Sequence, residues 1–257
     1  MPIAGRGSRF AECGFKVPKP LIPVHGVPMI EVVVNNIRPS QPHRFIFVAL
    51  REHLDHLGIH EILQKIAPGC SVVPVERVTE GPACTVLLAR EWIDSDDPLM
   101  IANSDQWVDI NIDDYLTEMN RRLADGLIMT MWANDPKWSY VAFGPDDTVI
   151  NVVEKKVISN DATVGIYNFR HGRTFVDAAD DMIASNMRVN GEFYVAPVYN
   201  GIIAMGRKVV ARNVGRERQG MWGLGIPRDL EMFLKDPISQ RIALTRSKIS
   251  HPSASRA

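Results

Sequence analysis

Three patterns in the amino-acid sequence predict an α/β fold with a doubly wound, mixed sheet. The first is a set of short, continuous apolar runs at residues 44–50, 70–75 and 98–102, separated by segments with helical spacing. Such runs suit strands buried on both faces, and their alternation with helices implies right-handed crossovers. The second is a glycine turn at the start of the chain, Ile3-Ala4-Gly5-Arg6-Gly7-Ser8-Arg9, at the end of an apolar stretch. The third is a change of pattern in the second half, where the apolar runs become short and alternating, as in antiparallel or mixed strands.

The elements follow in order. Only Met1-Pro2-Ile3 precede the glycine turn. A central strand normally offers about five residues, so the first strand is expected to be short or to begin upstream of this sequence. Residues 28–37 open on a proline and repeat Met29, Val33 and Ile37 at helical spacing, which predicts a helix. Residues 53–67 read as a turn or two of helix and a short helix, stopped by Pro68-Gly69. His53, His56 and His60 share one side of this segment and read as a solvated face. A helix is expected over 82–93, with Leu87, Leu88 and Trp92 on one side, and another over 113–124. Strands are expected at 126–133, 138–143, 148–153, 163–169 and 208–214, and helices at 171–184, 193–203 and 227–234. The expectation is a single domain over 1–245, with a nucleotide half (1–110) and a second-substrate half (111–245) fused in one sheet. A Ser-rich stretch over 246–257 reads as a disordered tail.

Composition excludes several classes of function. The 29 basic and 30 acidic residues nearly cancel, which argues against nonspecific nucleic-acid binding. No apolar run is long enough to span a bilayer and no signal-peptide pattern appears, so no membrane partner is expected. Cys13, Cys70 and Cys84 lie far apart and form no metal-ligand pair, which fits a reducing, cytoplasmic location.

The chemistry concentrates in a few turns. Glycines at 5 and 7 let backbone amides approach a phosphate, and Arg9 with Lys19 add a rigid forked cation and a point charge. Together they suit a triphosphate. Neither a dinucleotide-binding turn nor a P-loop fits: the third glycine in register is absent, Pro18 and Pro20 interrupt any long helix, and no Gly-Lys-Ser/Thr occurs. Asn103-Ser104-Asp105-Gln106 follows directly on the apolar run at 98–102. Ligands of open α/β sheets bind beyond the carboxyl ends of strands, so Asp105 can hold Mg²⁺ against phosphate oxygens, or else cap the turn toward Asp109. At Glu80-Gly81-Pro82-Ala83, glycine permits a planar base to lie against the backbone while the amides at 81 to 83 read its edge; the alternative is a plain helix start with proline at its first position. Glu192, in Asn190-Gly191-Glu192, stands near the start of an expected helix, where it faces a substrate or caps.

The glycine turn followed by Pro18-Lys19-Pro20-Leu21-Ile22-Pro23-Val24 resembles the signature of the nucleotidyltransferases that make activated sugars, G-x-G-x-R and then P-K-x-L-x-P-V. The look-alikes nearest in pattern are cytidylyl-, uridylyl- and thymidylyltransferases of bacterial capsule and lipopolysaccharide synthesis, and most of the chain, to about residue 235, can be laid along them. The resemblance implies a Rossmann-like nucleotidyltransferase (GT-A-like) fold. It also implies transfer of NMP from an NTP to a sugar phosphate with Mg²⁺, giving an NDP-sugar and pyrophosphate for surface polysaccharide. By the same resemblance Ala4, Gly5, Gly7, Ser8, Glu80, Gly81, Ala83 and Ser104 contact the nucleotide, with Thr79 a weaker candidate. Arg9, Lys19, Asp105 and Lys155 carry the chemistry, and Asp105 binds the metal. Glu154-Lys155 resembles the family's E-K element, in which the lysine holds the acceptor phosphate, and Gly165-Ile166-Tyr167 resembles its acceptor-side G-x-Y segment. Glu154, Gly165, Tyr167 and Glu192 are thus the acceptor residues, and homodimers are common among such enzymes. One departure stands out: Gly223 of Trp222-Gly223-Leu224-Gly225 occupies the place of the family's second metal-binding aspartate, leaving Glu192 or Asp229 to serve, or Asp105 and the phosphates alone. Two other enzyme readings stay open, beside that of a nucleotide-binding regulator that has lost activity, which Gly223 keeps in view. The acceptor is a non-sugar phosphorylated metabolite used with CTP, or the chain is a metal-dependent glycosyltransferase consuming an NDP-sugar.

Overall fold

A computed structural model describes residues 1–242, so the expected tail at 246–257 lies outside the described residues. In chain order the elements are α1 (Ser8–Glu12), β1 (Pro23–Val24), β2 (Val27–Pro28), α2 (Met29–Ile37), β3 (Ile46–Leu50), α3 (Arg51–Leu57), α4 (Ile59–Ile66) and β4 (Ser71–Val75). Next come α5 (Pro82–Leu87), α6 (Arg90–Ile93), β5 (Leu99–Ala102), β6 (Gln106–Val108), α7 (Ile112–Arg121), β7 (Gly126–Trp132), β8 (Ser139–Phe143), β9 (Val149–Glu154) and β10 (Asp161–Phe169). The chain continues through α8 (Gly172–Ala184), α9 (Val198–Ala204), β11 (Val209–Glu217), β12 (Gly220–Gly223) and α10 (Pro227–Lys235).

The main sheet has the order β6-β12-β11-β7-β10-β8-β9, with β5 pairing β10 off this path. It is mixed, as expected: β11 runs parallel to β7 and β12, while β10 is antiparallel to β5, β7 and β8. The parallel pair β3–β4 forms a separate ladder, which corrects the expectation of one fused sheet. Residues 1–3 run beside β3 but make only a bridge at Pro2–Val48, with Ile3 donating to Val48 at 2.8 Å. Pro2 has no N–H to offer a ladder, so this stretch does not zip β3 to the main sheet. Meanwhile β5, whose C-terminal end leads to Asp105, is paired with β10 of the second half, Ala102 opposite Ile166. The metal-candidate turn is therefore held by the strand that carries Gly165 and Tyr167.

Three further differences have identifiable physical causes. The helix expected at 82–93 is split into α5 and α6, because bonding at Leu88 and Ala89 slips to the tighter i→i+3 pattern. The helix expected from 193 begins only at Val198, since Phe193 spends its backbone groups on the turn at 80–83. His53 is buried at 8% exposure rather than solvated; its Nδ1 has no partner among the described residues, and burial pushes its pKa down. The core is apolar on both sides of the main sheet: Trp107, Tyr115, Met129 and Phe233 fill one side, and Phe169, Phe175, Tyr199 and Ile202 the other. Burial on this scale, at roughly 25 cal/mol per Å² of apolar surface, is what holds the strand ends in register for the site.

Candidate active site

A cleft of about 280 Å³ opens where the glycine turn, the turn after β5 and the turn before α5 meet. Ala4, Gly5, Lys19, Gly81, Ser104 and Asp105 line it, joined by Thr79 and Asn103. Lys19 stands on a 3-10 turn framed by Pro18 and Pro20, and its Nζ lies 2.9 Å from Asp105 Oδ2, across 86 residues of sequence. Both groups are about one-quarter exposed. The pair is a partly solvated contact of at most about 1 kcal/mol, easily exchanged for a phosphate or a cation. Among the described residues, the backbone amides of residues 5–9 find no hydrogen-bond partner, and Arg9 projects from α1 exposed and without an ion pair. Successive free amides on a glycine turn form an anion-binding concavity.

The far wall of the cleft is the turn at 79–83. Gly81 has φ +140°, and a Cβ there would stand 2.4 Å from the Phe193 carbonyl oxygen, so only glycine permits this approach. Thr79 Oγ1 donates to the Gly81 carbonyl at 2.8 Å and contacts Thr85 Oγ1 at 2.6 Å, which fixes the turn. The expectation that the amides from 81 to 83 all read a base is corrected here. Pro82 has no N–H, and Ala83 is buried and donates to Phe193 at 3.0 Å. The Gly81 amide is the one left to read a planar ring. Glu80 points away from the cleft lining and pairs with Arg188 at 2.5 Å.

The acceptor candidates lie beyond Gly165. Its carbonyl accepts from the Asn103 amide at 2.9 Å, and a Cβ there would meet the Asn103 side chain, so the two turns touch. Glu154 is 8% exposed, beside Ser139 Oγ, and burial pushes its carboxyl pKa up. Tyr167 is buried, with its hydroxyl 3.0 Å from Thr163 Oγ1 and near Ser139, the residue beside Glu154. Lys155 has φ +54°, a strained region for a non-glycine residue, of the kind that gathers at functional sites. Its ammonium is held by the Tyr194 hydroxyl and lies 4.5 Å from that ring's centroid. Burial and nearby Glu192 push the Tyr194 phenol pKa up. Glu192 does not open a helix. It closes a two-residue hairpin, Val189 and Glu192 exchanging both backbone bonds at 3.0 Å around Asn190 (φ +49°) and Gly191 (φ +82°). Left-handed values at both central positions define a type I′ turn, for which Asn-Gly is the favoured pair.

Sequence reasoning missed Asn103, Arg188 and Gly225. A Cβ on Gly225 would stand 2.4 Å from Asp105 Oδ2, and the Leu224 amide donates to the Asp105 carbonyl at 2.7 Å. The glycine-rich strip after β12 thus packs directly on Asp105. The Asn190-Gly191 pair was the signal for the hairpin.

Residues 3–190 match the nucleotidyl transferase family. The chain belongs to that family. Among curated relatives, the bifunctional protein GlmU of Methanococcus maripaludis strain C5 is 22% identical over 234 residues, covering 88% of this chain and 51% of that protein. This nucleotidyl transferase chain spans about half the length of the curated relatives it matches, or less. The nucleoside-diphosphate-sugar pyrophosphorylase of Vibrio cholerae RC9 superposes with a TM-score of 0.77 at 23% identity, over 92% of this chain and 100% of that one. The inositol-1-phosphate CTP transferase from T. maritima gives 0.69 at 15%, over 94% of each chain. At these identities the superpositions establish the shared Rossmann-like nucleotidyltransferase fold. No helix of the described residues is long and apolar enough to cross a membrane.

Proposed function

We propose that this nucleotidyl transferase moves NMP from an NTP to a sugar phosphate, releasing pyrophosphate and an NDP-sugar. The observation that carries this reading is the cleft itself: unpartnered amides and a Lys19–Asp105 pair at one end, and a glycine-walled slot for a planar base at the other. An oxygen of the acceptor phosphate attacks the α-phosphorus, forming a new P–O bond. The bond to the β-phosphate oxygen breaks with its electron pair, and pyrophosphate leaves. A phosphate monoester is already an anionic nucleophile, so the protein's work is alignment and charge neutralisation. The amides of Gly5, Gly7 and Ser8, with Arg9 and Lys19, hold the departing phosphates. Ala4 and Ser104 border the nucleoside, and the Gly81 amide meets the base edge. Lys155 holds the acceptor phosphate, while Glu154, backed by Ser139 and Tyr167, and Glu192 orient the acceptor's polar groups.

The donor set also fits Mg²⁺. Among the described residues no three acidic, His or Cys side chains cluster into a ready-made cage. Mg²⁺ does not need one, since it takes one or two carboxylates and completes its shell with water and substrate phosphates. Asp105 is the first carboxylate, and Asp229 is the second candidate. Its Oδ2 lies 3.4 Å from where a Cβ on Gly223 would stand, whereas Glu192 lies in the Tyr194 hairpin. When bound, the ion would neutralise phosphate charge as it builds on the leaving group.

Resemblance to capsule and lipopolysaccharide enzymes supports surface polysaccharide as the product's destination, and three cysteines without a disulfide support the cytoplasm. A second reading is favoured by the exposed Glu192 carboxylate beside Tyr194. Anion and aromatic ring together suit a cationic headgroup, as in a phosphocholine-like acceptor used with CTP. The deciding experiment is pyrophosphate release from four NTPs against a panel of sugar phosphates and phosphorylated amino alcohols. One pair should be active in the wild type and reduced about a hundredfold in Asp105→Ala, close to 3 kcal/mol of transition-state stabilisation. Absence of release from every pair, with NTP binding intact, would favour a glycosyltransferase instead.

A further inference from the structure

Arg188 lies outside the machinery described above and yet touches both of its ends. Its Nη2 lies 2.5 Å from Glu80 Oε2 on the base turn. Nη1 donates to the Gly191 carbonyl of the hairpin at 3.2 Å, and Nε donates to Asn186 Oδ1 at 2.6 Å. The guanidinium carbon stands 4.1 Å from the centroid of Phe193. Phe193 is itself stitched to the base turn, its amide donating to the Glu80 carbonyl at 2.9 Å and its carbonyl accepting from Ala83 at 3.0 Å. A planar fork with five donors and a stacking face can satisfy all these partners at once, and an ammonium cannot.

The hairpin needs such support. A two-residue β-hairpin is marginal alone, and residues 190 to 192 are exposed. Phe193 is the buried anchor beside it, at 1% exposure. This same hairpin presents Glu192 and leads to Tyr194, which holds Lys155. Beside the two Phe193 backbone bonds, one side chain therefore links the turn that takes the base to the segment that arranges the acceptor side.

We infer that Arg188 is a positioning residue that couples nucleotide binding at the Gly81 turn to the ordering of the 189–194 acceptor hairpin. This rests on the nucleotidyl-transfer reading above. A base lying on Gly81 stills Glu80, whose carboxylate holds Arg188 and, through it, Gly191 and the Phe193 ring. The acceptor then meets a preformed Glu192–Tyr194–Lys155 wall. Because linkage is reciprocal, a bound acceptor raises nucleotide affinity by the same factor.

Hydrogen exchange read by mass spectrometry separates this coupling from the parent reading. The probes are α,β-methylene analogues of CTP, UTP, GTP and dTTP, each with Mg²⁺. In the wild type, the analogue that binds should slow exchange both in a peptide spanning 79–85 and in one spanning 186–196, by about tenfold in the latter. In Arg188→Ala the first peptide should stay protected and the second should respond by less than about twofold. Arg188→Lys should behave like Arg188→Ala. Should Arg188→Ala fold poorly, Arg188→Met keeps the apolar stem over Phe193, loses the link to Glu80 and should give the same split. Equal protection of 186–196 in wild type and variants would overturn the coupling while leaving nucleotide binding in place. Protection of neither peptide by any analogue in the wild type would overturn the nucleotidyl-transfer reading and the coupling with it. Once an active substrate pair is found, Arg188→Ala should raise KM for the acceptor about tenfold with kcat within about twofold.

Discussion

The two ends of the site are built on opposite terms. At the glycine turn the side chains of Arg6, Ser8 and Arg9 are exposed, the amides from 5 to 9 have no partner among the described residues, and the Lys19–Asp105 pair is about one-quarter exposed. At the proposed acceptor end the candidate groups already have protein partners: Glu154 has Ser139, Tyr167 has Thr163, Lys155 has Tyr194, and the hairpin has Arg188. A region with unsatisfied donors is finished by its ligand, and it binds whatever carries enough negative charge. A region whose donors and acceptors are fixed beforehand selects by shape, because a wrong ligand leaves buried groups unpaired. The contrast predicts tolerance in the triphosphate and discrimination in the acceptor.

Three substitutions sharpen this comparison, from the largest effect to the smallest. Gly81→Ala puts a methyl group 2.4 Å from a backbone oxygen at φ +140°. It should cost about 2–4 kcal/mol of stability and abolish nucleotide binding, seen as a lower Tm and a flat titration. Full nucleotide affinity in that variant would break the assignment of the base slot. Arg9→Ala removes a cation that holds nothing in place, so Tm should not move while the rate of pyrophosphate release falls about a hundredfold. A comparable fall in Tm would show that the glycine turn is not open after all.

Glu154→Gln tests the preformed end. Burial raises the Glu154 carboxyl above its ordinary value of 4.5, against the lowering effects of Ser139 and Lys155. The native state therefore binds more protons than the unfolded chain between 4.5 and the raised value. Stability from this group is complete below that window and is lost as pH rises through it. The difference in unfolding free energy between Glu154→Gln and wild type should accordingly move in favour of the variant as pH increases from 4 to 7 and then level off, measured by urea titration. A difference independent of pH would show that Glu154 keeps an ordinary carboxyl.

The sequence by itself determined the α/β class, most helices and strands, and the turn chemistry, because each depends on residues adjacent in the chain. Apolar runs set the strands at 46–50, 71–75 and 99–102, and spacing set α2, α8 and α10. Local sequence also placed Lys19 between two prolines and Asp105 at a strand end. Tertiary structure decided what required partners remote in the chain. Asp105 joins Lys19 only because β5 pairs with β10 and the glycine turn folds over its end. The helix expected from 193 gave way to a stitched hairpin, since Phe193 finds its hydrogen bonds on Glu80 and Ala83, more than a hundred residues away. A propensity of a few tenths of a kcal/mol per residue yields to two backbone hydrogen bonds and a buried ring. For the same reason Arg188 could not be read from the sequence: its contacts with Gly191 and Phe193 are local, but the one with Glu80 exists only once the base turn and the hairpin have met.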